Sequence, residues 1–256
     1  MKHKYLFSLF IVAATLISFK PATQFTEPET MLEQEHNTKI TPISHATYIL
    51  QIDDKTIYVD PVGGVDAFKG QNEPDLILIT DIHGDHLNLE TVEGIVKQHT
   101  KIFAPQAVAD KFTDNLRQQT IVISNGETKQ YAHLKIEAIP MYNLRPEALK
   151  FHAKGRGNGY ILNNYDERIY ISGDTEDIPE MRSLKNIDIA FVCMNLPYTM
   201  PVESAASAVL DFKPKEVIPY HYRGTNGLSD VNQFKTLIDA KNKSIKVTLL
   251  NWYPEN

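Results

Sequence analysis

Four side chains able to bind a cation fall within six residues of the run TDIHGDHL, residues 80–87: Asp81, His83, Asp85 and His86. Imidazole nitrogen and carboxylate oxygen are the donors that zinc, iron and manganese accept. Asp81 and His83, two apart, project to one side of an extended loop, whereas Asp85 and His86 lie just beyond and are able to face elsewhere. Gly84 permits a tight turn between the pairs. A solvated turn holding two histidines and two aspartates is the plainer explanation, but such turns seldom pack four donors so closely behind an apolar strand. Two more donors stand far downstream, each also after an apolar run: Asp174 at the end of RIYISGD, and His221 in EVIPYHY. Taken singly, an aspartate after glycine is a turn or cap residue, and a strand-end histidine is structural. Together with the first cluster they supply what a dinuclear site needs, a carboxylate to lie between two ions roughly 3.5–4 Å apart and further nitrogen ligands.

These side chains need rigid elements to carry them. DLILIT is a continuous apolar run of the kind expected for a strand covered on both faces, and the loop DIHGDHL and a helical stretch LETVEGIVKQH follow it. Upstream, ISHATYILQI and KTIYVD read as two strands joined at Asp53–Asp54, and PVGG breaks the second. KIFA, TIVI and LKIEAIP are further strands, with PQAVADKFTDNL a helix that starts at proline. GYILNN and RIYISGD form a hairpin, IPEMRSL is a short helix, IDIAFVCMN a strand and VESAASAVLDF an Ala-rich helix. EVIPYHY, VNQFKTLIDA and KVTLLNW close the chain as strand, helix and strand. Two runs of strands, each followed by alternating helices and strands, predict two sheets face to face with helices outside. The loop between Met141 and Gly159 is long enough to expect a functional role. It carries His152, Lys154 and Arg156.

The strand followed by TDIHGDH, the later GDT after a hairpin and the final strand-end histidine resemble the metallo-β-lactamase superfamily, from about Thr38 to Trp252. SHATYIL, the DPVGG turn and GDTEDIPEM are most similar to the branch that includes ascorbate-6-phosphate lactonase and the N-acylethanolamine phospholipases. The resemblance implies an α/β fold, a four-layer αββα sandwich with metals at one edge. It implies that His83 binds the first metal, Asp85 and His86 the second, that Asp174 bridges, and that His221 completes the second site. Asp81 stands where the family usually has histidine, which exchanges a neutral nitrogen for a charged oxygen and favours manganese or iron over zinc. At IPMYN the family commonly offers another histidine and this chain offers Asn143. Three alternatives stay open there: Asn143 is a weak oxygen ligand, His152 swings in, or the metal keeps a water. His152 is equally readable as a histidine at the substrate mouth, and His45 as a residue behind the ligands or facing substrate.

Composition bounds the rest. A chain of 256 residues, 42% hydrophobic, suffices for one sizeable core. The formal charge is -6, and no run of Lys and Arg with interleaved aromatics would track a phosphate backbone, so nucleic acid is excluded as a partner. Lys2 and Lys4 precede an apolar stretch that ends at Lys20, short of a membrane span, which reads as a secretory signal over residues 1–22. A polar lead over 23–37 and one hydrolase domain over 38–256 follow. The expected location is periplasmic or secreted, with no stable membrane association after processing. Cys193 is the single cysteine and reads as a small buried hydrophobe. Gly155, Gly157 and Gly159 open a strand rather than a helix, which argues against a dinucleotide loop. His36, His99 and His133 receive only structural readings.

The expected activity is that of a hydrolase with one or two divalent ions (Zn, Mn or Fe), using a metal-bound hydroxide on a small-molecule lactone, ester or amide. Asp85 would orient the nucleophile or take its proton, and His152, Lys154 or Tyr222 would face the developing oxyanion. A phosphodiesterase using the same metals, and a metal-binding protein without turnover, are the competing readings.

Overall fold

The computed structural model describes Met1, residues 38–165 and residues 167–254. The export-signal and lead readings of residues 1–37 fall outside the described residues, Met1 apart. The first sheet has the spatial order β1 (Lys39–Ser44), β2 (Thr47–Ile52), β3 (Lys55–Val59), β4 (Leu76–Leu78), β5 (Lys101–Ala104) and β6 (Thr120–Val122). Its first three strands are antiparallel, and β3 to β6 run parallel.

The second sheet contains β7 (Thr128–Tyr131), β8 (Leu134–Met141), β9 (Gly157–Asn164), β10 (Glu167–Ile171), β11 (Ile189–Cys193) and β12 (Glu216–Tyr220). After a small hairpin, β13 (Arg223–Gly224) and β14 (Gly227–Leu228), strand β15 (Lys246–Val247) adds to its far edge beside β12. β7 to β10 pair antiparallel, while β10, β11, β12 and β15 are parallel.

Period-two alternation sorts the first sheet's side chains. Leu50, Ile57, Leu76, Leu78 and Phe103 join the core that faces the second sheet. Their neighbours Ile49, Tyr58, Ile77 and Ile102 face the other way. There they pack with Val92 and Ile95 of α1 (Leu89–Ile95), Val108 of α2 (Gln106–Ala109) and Leu116 of α3 (Asp114–Gln119). On the far side, α4 (Pro179–Arg182), α5 (Val202–Phe212) and α6 (Val231–Asp239) send Met181, Ala205, Val209, Phe212, Phe234 and Ile238 into the core of the second sheet. The four layers are therefore helices, sheet, sheet and helices. Each buried aliphatic or aromatic side chain contributes about 1.5–3 kcal/mol, so a one-residue register slip, which exchanges the two faces, is strongly disfavoured.

Aromatic rings join the sheets: Tyr48 of β2 stacks on Phe191 of β11 at 4.5 Å, with Trp252 edge-on to both. At the edge that carries the site the backbones themselves meet, and Asn158 N–H donates to the Thr80 carbonyl at 2.9 Å. Parallel strands place all their C-terminal ends at one sheet edge. The segments after β3 and β4 therefore bring Asp60 and the 80–87 run to the same place, and those after β10, β11 and β12 bring Asp174, Asn195 and His221.

Three local readings change. ISHATYILQI is two strands, broken at His45, whose φ of 57° turns the chain. PQAVADKFTDNL is two short helices, because Phe112 drops into the core between them and Thr113 starts the second. KVTLLNW keeps only the two-residue β15 as strand. Among the described residues no helix is long and apolar enough to cross a membrane.

Candidate metal centre

The donors gather in two adjoining clusters. In one, His86, Asp174 and His221 converge, all buried. His86 Nε2 lies 3.1 Å from His221 Nε2 and 3.3 Å from Asp174 Oδ2. Asp85 closes it from the half-exposed side, with Oδ2 3.2 Å from His221 Nε2 and 3.4 Å from His45 Nε2. In the other, Asp81, His83 and His152 converge, with His83 Nδ1 2.8 Å and His152 Nε2 4.0 Å from Asp81 Oδ2. His152 Nε2 is also 3.1 Å from Asp174 Oδ2, so Asp174 touches both clusters.

Residues behind the donors set their tautomers. Asp60 accepts Thr80 N–H at 2.7 Å, the Thr80 hydroxyl at 2.7 Å and His86 Nδ1–H at 2.8 Å. A carboxylate only accepts, so His86 carries its proton on Nδ1 and turns Nε2 toward the cluster. Asn143 uses its amide N–H groups on the Ala148 and Tyr198 carbonyls, which leaves Oδ1 to accept His152 Nδ1–H at 3.2 Å and frees His152 Nε2 in the same way. The Tyr253 hydroxyl accepts backbone N–H from Tyr222 and Arg223, so its proton goes to His45 Nδ1 at 2.7 Å, and His45 Nε2–H faces Asp85. Arg156 grips Asp81 through two hydrogen bonds, Nε to Oδ1 at 3.1 Å and Nη2 to Oδ2 at 2.7 Å.

Electrostatics and backbone both mark this edge. Burial works against ionised Asp174, yet the surrounding His221, His86 and His152 rings hold its carboxyl well below the usual range. Burial likewise works against a charged His86, but Asp174 and Asp60 raise its pKa well above that of a free imidazole. Burial opposes ionised Asp85 too, and hydrogen bonds from His221 and His45 still depress its carboxyl. His45, Asp60 and His221 adopt left-handed φ values of 57°, 45° and 46°, a strain of order 1–3 kcal/mol each that the surrounding contacts hold in place.

A divalent cation fits these residues. Among the described residues none donates a hydrogen bond to Oδ1 of buried Asp174, and two imidazole Nε2 atoms face each other at 3.1 Å, an arrangement that requires a proton or cation between them. Donors about 2.1 Å from a tetrahedral ion stand roughly 3.4 Å apart, close to the observed spacings.

A family model described as the beta-lactamase superfamily domain matches residues 39–221. The chain belongs to the metallo-β-lactamase superfamily. Among its relatives, the UPF0173 metal-dependent hydrolase of Pyrococcus furiosus is 30% identical, over 81% of this chain and 95% of its own length. A crystal structure of a protein from Parabacteroides distasonis, described as a metal-dependent hydrolase, is 40% identical with a TM-score of 0.74, covering 83% of this chain and 92% of that one. Igni18, a metallo hydrolase from Ignicoccus hospitalis, shares the fold at 23% identity and TM-score 0.69, covering 83% of this chain and 94% of its own. The chain is a metal-dependent hydrolase of this superfamily.

Of the residues singled out by the sequence, this metallo-β-lactamase fold brings Asp81, His83, Asp85, His86, Asp174, His221, His45 and His152 together. Asn143 stands behind His152. Lys154 is turned elsewhere, donating to Glu180 and lying over the Tyr142 ring. Cys193 is buried, and burial pushes its thiol up to about 12, which removes it as a nucleophile at neutral pH. Asp60, Arg156 and Tyr253 were not legible as site residues. The available signals were Asp60 in DPVGG and Arg156 in the long loop.

Proposed function

We propose that this enzyme hydrolyses a small-molecule lactone, ester or amide at the junction of the two clusters. In this reading Asp81, His83 and His152 hold one divalent ion, His86, His221 and Asp85 hold a second, and Asp174 serves both. Bound there, Zn, Mn or Fe would lower the pKa of water and polarise the substrate carbonyl. Asp85 lies half-exposed in the mouth, where His45 Nε2–H faces its Oδ2 at 3.4 Å. Its Oδ1 would orient the attacking water and receive its proton. His45, held by Tyr253, keeps that carboxylate aimed. Asp60 and Asn143 present the lone pairs of His86 and His152, and Arg156 offsets the charge that Asp81 adds to the first cluster.

The observation that carries the reading is the contact of Asp174 with donors of both clusters, 3.3 Å to His86 and 3.1 Å to His152. The resemblance of SHATYIL and GDTEDIPEM to the branch containing a lactonase supports placing lactones first. The N-terminal segment supports an exported enzyme. The test is an assay of protein reloaded with Zn²⁺, Mn²⁺ or Fe²⁺ against lactone, aryl ester, amide and phosphodiester substrates. Turnover of a carbonyl substrate that falls by about 10²-fold or more in Asp85→Asn is expected. Turnover confined to phosphodiesters, or undiminished in Asp85→Asn, would contradict it.

A further inference from the structure

Beside the metal centre lies a cleft of 310 Å³, lined by His83, Asp85, His152 and Asp174 on one side and by Phe151, Asn195 and Tyr198 on the other. The second wall decides what fits. Phe151 and Tyr198 meet edge to face with ring centres 5.0 Å apart. The backbone at both is held: the Tyr198 carbonyl accepts Asn143 Nδ2–H at 2.6 Å and Arg145 donates to the Pro197 and Thr199 carbonyls on either side, while the Phe151 carbonyl accepts Arg156 Nη2–H at 2.6 Å. The polar group of this wall is neutral. Asn195 N–H donates to the Thr199 hydroxyl, which must therefore give its own proton to Asn195 Oδ1, leaving the Nδ2 amide as the donor that Asn195 offers the cleft.

Among the described residues no lysine or arginine lines the cleft. The cations of the adjoining loop are committed elsewhere: Arg156 to Asp81 and the Phe151 carbonyl, Arg145 to Glu176, Lys154 to Glu180. Lys150 is not one of the lining residues, and its Nζ lies over the Phe151 ring, 5.1 Å from the ring centre. Leu144 and Leu149, on the loop that carries Phe151, and Leu196, on the one that carries Tyr198, are exposed. The ions that the proposed centre would hold could receive a negative charge only at their own end of the cleft; a phosphate or carboxylate on the part of the substrate that lies on the second wall would meet two aromatic rings and a neutral amide, whereas an apolar group there gains burial at no electrostatic cost.

We infer that the part of the substrate remote from the reacting carbonyl is uncharged, an aromatic or aliphatic group that lies against Phe151 and Tyr198, with Asn195 donating to a neutral oxygen. This rests on the proposed carbonyl hydrolysis for its chemistry, though not for its binding. Two measurements on the metal-loaded full chain separate the two claims. The first is binding of the lactam counterpart of dihydrocoumarin, which resists hydrolysis, followed by ligand-observed NMR. The second is the kcat/KM ratio for dihydrocoumarin, γ-butyrolactone and a phosphorylated sugar lactone.

The lactam binds, and dihydrocoumarin exceeds both other lactones by about tenfold or more. Phe151→Ala lowers that preference by about tenfold, chiefly through KM, and weakens the lactam to a similar degree. Lactam binding without turnover of any lactone would uphold the inference and tell against carbonyl hydrolysis. Failure of the lactam to bind, a preference for the phosphorylated lactone that Lys150→Ala abolishes, or an unchanged preference in Phe151→Ala would overturn it.

Discussion

Asp60 shows how much of the centre is made by a residue that holds no ion. It is fully buried, and burial raises its pKa, so its charge is tolerated only because three donors converge on it. One of those donors is the His86 ring, whose free nitrogen faces the metal cluster. Replacing Asp60 by Ala removes the acceptor that fixes this tautomer, and metal affinity is expected to fall by about 10- to 100-fold. Competition with a coloured chelator measures it, and an affinity within twofold of the parent would remove Asp60 from the account. In sequence, an aspartate before Pro-Val-Gly-Gly reads as the end of a strand, and nothing local announces a histidine 26 residues away. Arg156 was hidden for the same reason, since its meaning lies in Asp81, 75 positions back. The direct donors were legible because their types cluster in TDIHGDHL and recur at apolar strand ends. Of the three alternatives at Asn143, the amide orientation favours His152 facing the cluster with Asn143 behind it.

At the scale of elements, β9 is where the two sheets close most tightly on the site. A Cβ at Gly159 would stand 2.8 Å from the carbonyl oxygens of both Ile171 and Ser172, backbone atoms with no room to yield. Gly159→Ala is therefore expected to destabilise the protein by about 1–3 kcal/mol, read from the urea midpoint, and an unchanged midpoint would contradict that packing. Gly157 and Gly159 of GRGNG thus serve sheet packing, in keeping with their place at the start of β9, whereas Gly155 turns the chain at a φ of 86° with open space beside it. Buried parallel strands such as DLILIT and IDIAFVCMN were legible because coverage on both faces leaves a continuous apolar run. β7 was not, since TKQY is a half-exposed edge strand with no apolar face to reveal it. The break between α2 and α3 was hidden because Phe112 suits a helix pattern and a core anchor equally well.

For the whole molecule, the cost of gathering three aspartates and four histidines at one sheet edge would be offset by the ions that the proposed centre holds. Asp174 is buried, and among the described residues no donor satisfies its Oδ1. Metal binding is thereby coupled to folding. At free metal about 100-fold above Kd the coupling is about 2.7 kcal/mol, so chelation is expected to lower Tm by roughly 5–10 °C. A melting curve that EDTA leaves in place would show that the fold does not depend on the ion. The aromatic core of Tyr48, Phe191, Tyr220 and Trp252 lies just behind, and its last member leads directly to Tyr253, the partner of His45. Sheet packing and site geometry are in this way one structure.

The most direct test of the centre is equilibrium dialysis against Mn²⁺ or Zn²⁺, with bound metal counted per chain for the parent and for Asp174→Ala, both checked for folding by circular dichroism. Two ions are expected in the parent, and at most one, held more weakly, in the variant. Full and equally tight loading of Asp174→Ala would contradict the claim that this carboxylate joins the two clusters.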